Sequence, residues 1–488
     1  MSFKGIRYAH SPTGNLRWEP PVPFTSSEEQ DATTLGPSCV QQITSNLSRE
    51  LFNTPPPPES EDCLFLNVWA PSDSDSTLKP VLFWIYGGGL AFGTASLPIY
   101  DGTSLATNQD IVVVTINYRT NIFGFPSSSD LPLEANNLGF LDQELALKWV
   151  QNNIANFGGD PKKVAIMGES AGSLSVAAAI VRHTEDNPPF RAAVMLSGTT
   201  VIVDSTPVAE LTAFNTFATT FGCTQAPGAE RLLCLRAIPA NAIHDYVNQP
   251  SAGSFTGIVD DSTLFDDSLG RITARQSARV PVLLGNMQDD GSLFALQAGA
   301  GSISLDQFLD GLGVPIPAGV VRALYPGQND SQVIASVFRD VVFQCPTGLW
   351  ASTSVLAGIS NVYRYIYGAV FPELQAFPGA GAWHSSEIAP FFGTYNRTTA
   401  SPSQVTLSNT FQTIISNFIK EPTTPPANNW ARYVQGGLTP SVAKLAYKGN
   451  VNLDDVVQPA TIISVDGPCV ALWNQVIALL TLRSVLQL

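Results

Sequence analysis

Short runs that are apolar at nearly every position recur along this chain, and they limit its fold more than any other feature. Val81-Leu82-Phe83-Trp84-Ile85-Tyr86 is one, and Ile111-Val112-Val113-Val114-Thr115-Ile116-Asn117-Tyr118 is another. Further runs are Lys163 to Met167, Ala192 to Leu196, Val280 to Leu284 and Val362 to Tyr367. They do not alternate polar with apolar, so they read as strands covered on both faces. Between two of them Leu138, Leu141, Leu145 and Trp149 recur at spacings of three and four, which predicts a helix with one apolar stripe. Strand, helix, strand in this order calls for right-handed crossovers and a mostly parallel sheet with helices on both faces. Pro55 to Pro58, Ser72 to Ser76 and Pro422 to Asn429 read as turns or loops too short to link domains, and no internal repeat is present. A single α/β domain over residues 1–488, enlarged by insertions, accounts for the pattern.

Charge narrows the possible partners. The chain has 25 basic against 40 acidic residues, net −15, with a charged fraction of only 13%. A nucleic-acid surface needs a cationic face to displace counterions, so this balance argues against one, and equally against docking on anionic lipid. No apolar run reaches the roughly 20 residues of a membrane span. The nearest, Val476 to Leu488, is interrupted by Arg483 and Ser484 and reads as a C-terminal helix packed on the core. Neither nucleic acid nor membrane is an expected partner.

Met1-Ser2-Phe3-Lys4-Gly5 has no cationic region followed by an apolar stretch, so no signal peptide is visible. The six cysteines lie at 39, 63, 223, 234, 345 and 469. None forms a CxxC pair, and the four histidines, at 10, 183, 244 and 384, are scattered, which argues against a zinc site. Six cysteines permit fifteen pairings, and the count does not choose among them. Sequons at Asn46, Asn329 and Asn396 weakly favour secretion. Secretory cysteines without a leader point to a shortened chain or to a start assigned in the wrong place.

Gly168-Glu169-Ser170-Ala171-Gly172 follows directly on the strand Val164-Ala165-Ile166-Met167, and small residues through Ala179 lead out as a helix. Five residues of the form G-x-S-x-G are weak evidence alone. In a strand–turn–helix they make a nucleophile elbow. Serine is a poor nucleophile unless it is exposed, held against a base and set at a helix N-terminus that stabilises developing negative charge. Tyr86-Gly87-Gly88-Gly89 ends the strand that begins at Val81. Three glycines there have no packing value, but they let backbone N–H groups turn toward a substrate oxyanion.

Two longer segments carry a resemblance: Glu61-Asp62-Cys63-Leu64-Phe65-Leu66-Asn67-Val68-Trp69-Ala70-Pro71, and Phe157-Gly158-Gly159-Asp160-Pro161 continuing through Val164 to Gly172. With them the sequence resembles the type-B carboxylesterase/lipase family, nearest to its fungal members. The resemblance runs from Phe3-Lys4-Gly5-Ile6-Arg7-Tyr8-Ala9 to Cys469-Val470-Ala471-Leu472-Trp473-Asn474-Gln475. It implies an α/β-hydrolase fold. Members usually carry another strand pair before the Phe3 segment, so a chain without the small N-terminal sheet and leader is expected.

The resemblance also implies roles. Ser170 matches the nucleophile, and Gly88, Gly89 and Ala171 match the oxyanion-hole donors. Gly285 to Ser292 resembles the segment bearing the triad acid, which places the acid at Asp290, with Asp289 as the fallback; the family mostly uses Glu there. Ala382-Trp383-His384-Ser385-Ser386-Glu387-Ile388 resembles the segment with the base, His384. Ser197 resembles a serine held beside the triad acid. Glu169 is either a solvated elbow residue or an electrostatic neighbour of His384. The implied disulfides are Cys39–Cys63, Cys223–Cys234 and Cys345–Cys469. The implied activity is hydrolysis of a small-molecule ester through an acyl-enzyme, by a monomer or homodimer, with no metal or cofactor. Acyl transfer to another nucleophile, or an inactive adhesion or binding module, are the alternatives. The segment from Val40 to Asp62 has no Trp or Tyr and one aromatic residue, Phe52, which favours uncharged esters of short to medium acyl chain over cationic ones.

Overall fold

The computed structural model describes all residues except 73–76, 185, 204, 205, 207, 312–315, 448–455 and 480–488. The described residues form one sheet from β1 (Ser2–Arg7), β2 (Phe65–Trp69), β3 (Lys79–Ile85), β4 (Val112–Ile116), β5 (Gly159–Glu169), β6 (Ala192–Leu196), β7 (Val282–Met287), β8 (Val362–Tyr367), β9 (Pro440–Leu445) and β10 (Val457–Thr461). Their spatial order is β1-β2-β4-β3-β5-β6-β7-β8-β9-β10. From β4 to β9 every neighbouring pair is parallel, and the antiparallel pairings are confined to the two edges.

The two-sided cover is visible residue by residue. Val81, Phe83 and Ile85 of β3 enter one hydrophobic core, while Leu82 and Trp84 enter the core on the opposite face. On β5, Val164 and Ile166 divide from Ala165 and Met167 in the same way. A strand with a core on each side is apolar at nearly every position, and each large apolar side chain it buries stabilises the fold by about 1.5–3 kcal/mol.

This topology also fixes where a ligand can sit. The chain leaves β3 for β4 on one side, then returns to lay β5 on the other side of β3. Connections that depart in opposite directions leave a crevice at the carboxyl ends of the two strands. Here those ends are Ile85 and Gly168, which are register partners.

The helix Leu138–Asn153 forms where the spacing predicts one, but its face is rotated. Leu141, Leu145 and Trp149 are only half-buried, whereas Asp142, Gln143, Ala146, Leu147 and Val150 are buried. The reason is polar: Asp142 accepts from the backbone N–H, Nε and Nη2 of Arg119 at 3.0, 2.8 and 2.7 Å, and Gln143 donates to Ser175 Oγ at 3.0 Å. A paired charge can occupy a core position that the apolar pattern assigns to leucine.

Near the C-terminus, the helical stretch Ile462–Leu479 is long and apolar enough to cross a membrane by length and composition, although no unbroken apolar run in the sequence is. It is tied to the domain by the Cys345–Cys469 disulfide, by the buried Arg364–Asp466 ion pair and by Trp473 Nε1 donating to Tyr325 Oη at 2.7 Å. Val476 and Ile477 are buried. The rest of the expected C-terminal helix, with Arg483 and Ser484, lies outside the described residues, as do residues 73–76 of the expected turn at Ser72.

Candidate active site

Ser170 stands at the crevice, between the end of β5 and the helix Ala171–Arg182. Its backbone is strained, with φ 56° and ψ −122°, and its N–H donates to Leu196 O at 2.9 Å. Such a conformation persists only where the surroundings enforce it. Two glycines do so here. A Cβ on Gly172 would fall 2.1 Å from Ile85 O, and one on Gly168 would fall 2.4 Å from the Gly172 backbone. Helix and strands therefore approach more closely than any side chain permits, and the turn lifts Ser170 into the cavity while its neighbours are buried.

Across the crevice, β3 runs into Gly87, Gly88 and Gly89. Gly88 has φ 113°, and a Cβ there would meet Phe92 O at 2.4 Å. Gly89 has φ 62° and faces open space. Ala171 is the first residue of its helix, so its N–H has no partner inside that helix. Gly88, Gly89 and Ser170 line one cavity of about 480 Å³, together with Glu169 and His384.

His384 reaches the site from the segment between β8 and β9. Its Nδ1 lies 2.8 Å from Asp290 Oδ1. Asp290 is fully buried, and its Oδ2 accepts from Ser197 Oγ at 2.9 Å and from the Met287 N–H at 2.7 Å. Asp289, the neighbouring candidate, points elsewhere: its Oδ2 accepts from the Ala382 N–H at 2.9 Å. The imidazole is held between the rings of Phe343 and Phe294, with centroids 4.8 and 5.1 Å away. Its Nε2 is buried with no hydrogen-bond partner.

A second carboxylate faces the ring. Glu169 Oε1 lies 3.2 Å from His384 Nε2 and accepts from Ser385 Oγ at 2.6 Å. Glu169 is thus buried beside the imidazole rather than solvated. Burial alone would lower the His384 pKa, but Glu169 and Asp290 outweigh it and hold the pKa above the ordinary histidine value. Burial pushes Glu169 itself up, against the pull of His384.

Behind them sits Glu387, fully buried, with neither carboxyl oxygen hydrogen-bonded. Burial first, then the Glu169 and Asp290 charges, pushes its pKa well above the carboxylate range and favours the neutral acid. The sequence reading gave Glu387 no role. Its signal was an acidic residue leading directly into the apolar stretch Ile388-Ala389-Pro390-Phe391-Phe392.

The three disulfides are Cys39–Cys63, Cys223–Cys234 and Cys345–Cys469. The first closes the loop that carries the helix Asn46–Phe52, whose residues Leu51 and Phe52 form part of the cavity wall. More of the wall's aromatic rings come from Phe92, Tyr100 and Trp383, outside the segment from Val40 to Asp62. Among the described residues no group of three or more His, Cys, Asp or Glu side chains could hold a metal ion.

Comparison with known proteins now decides the family. Residues 1–312 match the description of the carboxylesterase family. The chain belongs to that family. It is an α/β hydrolase and a carboxylic ester hydrolase. It is 34% identical to the para-nitrobenzyl esterase of Bacillus subtilis (strain 168) over 457 residues, covering 88% of each chain. It is 33% identical to the chlorogenic acid esterase of Aspergillus niger over 439 residues, 86% of this chain and 79% of that one. Lipase 1 of Geotrichum candidum is 32% identical over 454 residues, 79% of each.

Proposed function

We propose that this carboxylesterase-family chain works as one domain, through a Ser170-His384-Asp290 triad and a covalent acyl-enzyme, on uncharged esters of short to medium acyl chain. His384 Nε2 takes the Ser170 proton as Oγ attacks the ester carbonyl, while Asp290 fixes the tautomer that leaves Nε2 free to accept. The N–H groups of Gly88, Gly89 and Ala171 receive the oxyanion, each lowering the barrier by about 3 kcal/mol. As the tetrahedral intermediate collapses, the alcohol leaves with the proton from His384. Water then attacks the acyl-enzyme in the same way, releasing the acid and restoring Ser170.

The observation that carries this reading is the contact between Asp290 and the buried His384 at the cavity that Ser170 lines from a strained turn. The chain-length preference rests on the short loop closed by Cys39 and Cys63, with a sequence separation of 24, which leaves little room for a large lid. Three disulfides and the fungal relatives support an extracellular protein, for which the sequons are glycosylation sites. The test combines a fluorophosphonate probe, peptide mapping and a panel of nitrophenyl esters of graded acyl length. Label on Ser170 and a peak at short to medium acyl groups are expected. Turnover without label on Ser170, or a preference for long chains, overturns the reading.

A further inference from the structure

Ser170, Gly89 and Phe294 are shared by two cavities, and the charges of the two differ. The second, about 420 Å³, is walled by residues such as Leu174, Leu264, Val342 and Phe343 and has no ionisable side chain in its lining among the described residues. The first, about 480 Å³, contains His384 and three carboxylates, Glu50, Glu169 and Glu373, with no Lys or Arg among the residues that line it. The chemistry orients an ester between them. A departing alcohol must collect its proton from His384, and His384 lines only the first cavity. The alcohol therefore occupies the acidic cavity and the acyl group the neutral one, an orientation that rests on the triad reading above.

Glu169 is buried beside His384 and accepts from Ser385 Oγ, so its charge acts on the imidazole rather than at the mouth of the cavity. Glu50 and Glu373 are different. Both are exposed, one on the helix Asn46–Phe52 and the other on the turn Pro372–Leu374. Arg49, next to Glu50, is turned away and donates to Ile43 O at 2.7 Å. Two carboxylates at a concave, low-dielectric wall focus a negative potential into the cavity, and the net charge of −15 gives it no opposition. We infer that Glu50 and Glu373 are specificity determinants that exclude anionic alcohols from the leaving-group cavity, restricting the enzyme to esters whose alcohol carries no negative charge.

The probes are the butanoate esters of 3-(hydroxymethyl)benzamide and 3-(hydroxymethyl)benzoate. They match in shape, and the benzylic carbon insulates the leaving oxygen from the carboxylate. The kcat/KM ratio, amide over carboxylate, is expected to be roughly fivefold or more at low salt, as two nearby like charges imply. It should shrink in about 0.5 M salt, where screening is nearly complete at these distances. In Glu50→Gln/Glu373→Gln the ratio should fall toward one. A ratio near one in the parent enzyme, or one that the double substitution leaves unchanged, overturns the inference. Loss of turnover of both esters together with absence of fluorophosphonate labelling removes instead the triad reading beneath it.

Discussion

His384 Nε2 lies 3.2 Å from Glu169 Oε1, while Nδ1 of the same ring lies 2.8 Å from Asp290 Oδ1. One imidazole thus stands between two buried carboxylates: Asp290 accepts two further hydrogen bonds, from Ser197 and Met287, and Glu169 accepts one, from Ser385. That asymmetry separates an orienting partner from an electrostatic one. On the proposed mechanism, Asp290 sets the tautomer and Glu169 stabilises the imidazolium that forms during turnover.

The pH dependence follows. On the proposed mechanism only neutral His384 accepts the serine proton, so activity should be lost as the ring becomes protonated. Because both carboxylates raise its pKa, the acidic limb of kcat/KM should lie above the ordinary histidine value of 6.5. Glu169→Gln removes one of the two charges favouring the imidazolium, so the limb should move to lower pH. A limb in the same place in parent and Glu169→Gln would exclude Glu169 as the source of the shift.

Ser170 permits a test in which activity and stability move differently. Ser170→Ala should abolish turnover and labelling with little change in Tm, because the methyl group keeps the strained backbone at φ 56°. Ser170→Gly should be equally inactive but more stable than Ser170→Ala, by about 1 kcal/mol, since glycine occupies that region without a Cβ clash. Chemical denaturation of the two variants side by side gives the difference. Equal stabilities would mean that the turn stores no strain.

Glu387 makes a third test. Its folded pKa is raised above its unfolded value, so its contribution to stability is complete below the unfolded pKa and declines as pH rises toward the folded one. Glutamine is neutral at every pH and nearly the same shape. The stability of Glu387→Gln relative to the parent should therefore increase as the pH rises above the ordinary glutamate value of 4.5. Infrared spectra at pH 7 should show a protonated carboxyl band that the variant lacks. A pH-independent stability difference would show that Glu387 is ionised in the fold.

How much of this was readable in the sequence depends on where a residue sits. β6 and β8 begin and end where their near-continuous apolar runs do, because strands with a core on each face are apolar at nearly every position; Arg364 in β8 is the exception, buried with Asp466 as its partner. The edge strands β1, β9 and β10 escaped notice. Their exposed and half-exposed residues, such as Lys4, Lys444 and Gln458, break the run, and a place at or next to the edge of the sheet lessens the need for it. The position of Ser170 was legible because the chemistry demands glycines around it. The placement of Glu169 was not, since a solvated glutamate and one buried against His384 look alike in one dimension. Asp142 misled for a related reason: its partner Arg119 lies 23 residues away, and nothing local announces that a charge belongs inside.

The last prediction concerns the C-terminal stretch. The Cys345–Cys469 disulfide closes a loop with a sequence separation of 124, and both cysteines are buried. Asp466, three residues before Cys469, pairs with the fully buried Arg364, accepting from its Nη2 at 2.8 Å. The two ties act in different states. The disulfide mainly restricts the unfolded chain, so Cys345→Ala/Cys469→Ala should lose roughly 4–5 kcal/mol, an upper figure from chain entropy. The ion pair acts in the folded state, where Asp466→Asn strands a buried guanidinium and should lose about 3–5 kcal/mol. Because Arg364 is the group left uncompensated, adding Arg364→Met to Asp466→Leu should recover much of that loss, whereas no second substitution restores the lost loop constraint. Urea unfolding of each variant distinguishes the cases. A double ion-pair variant as unstable as Asp466→Asn would show that the pair holds the stretch by direct attraction rather than by avoiding a stranded charge.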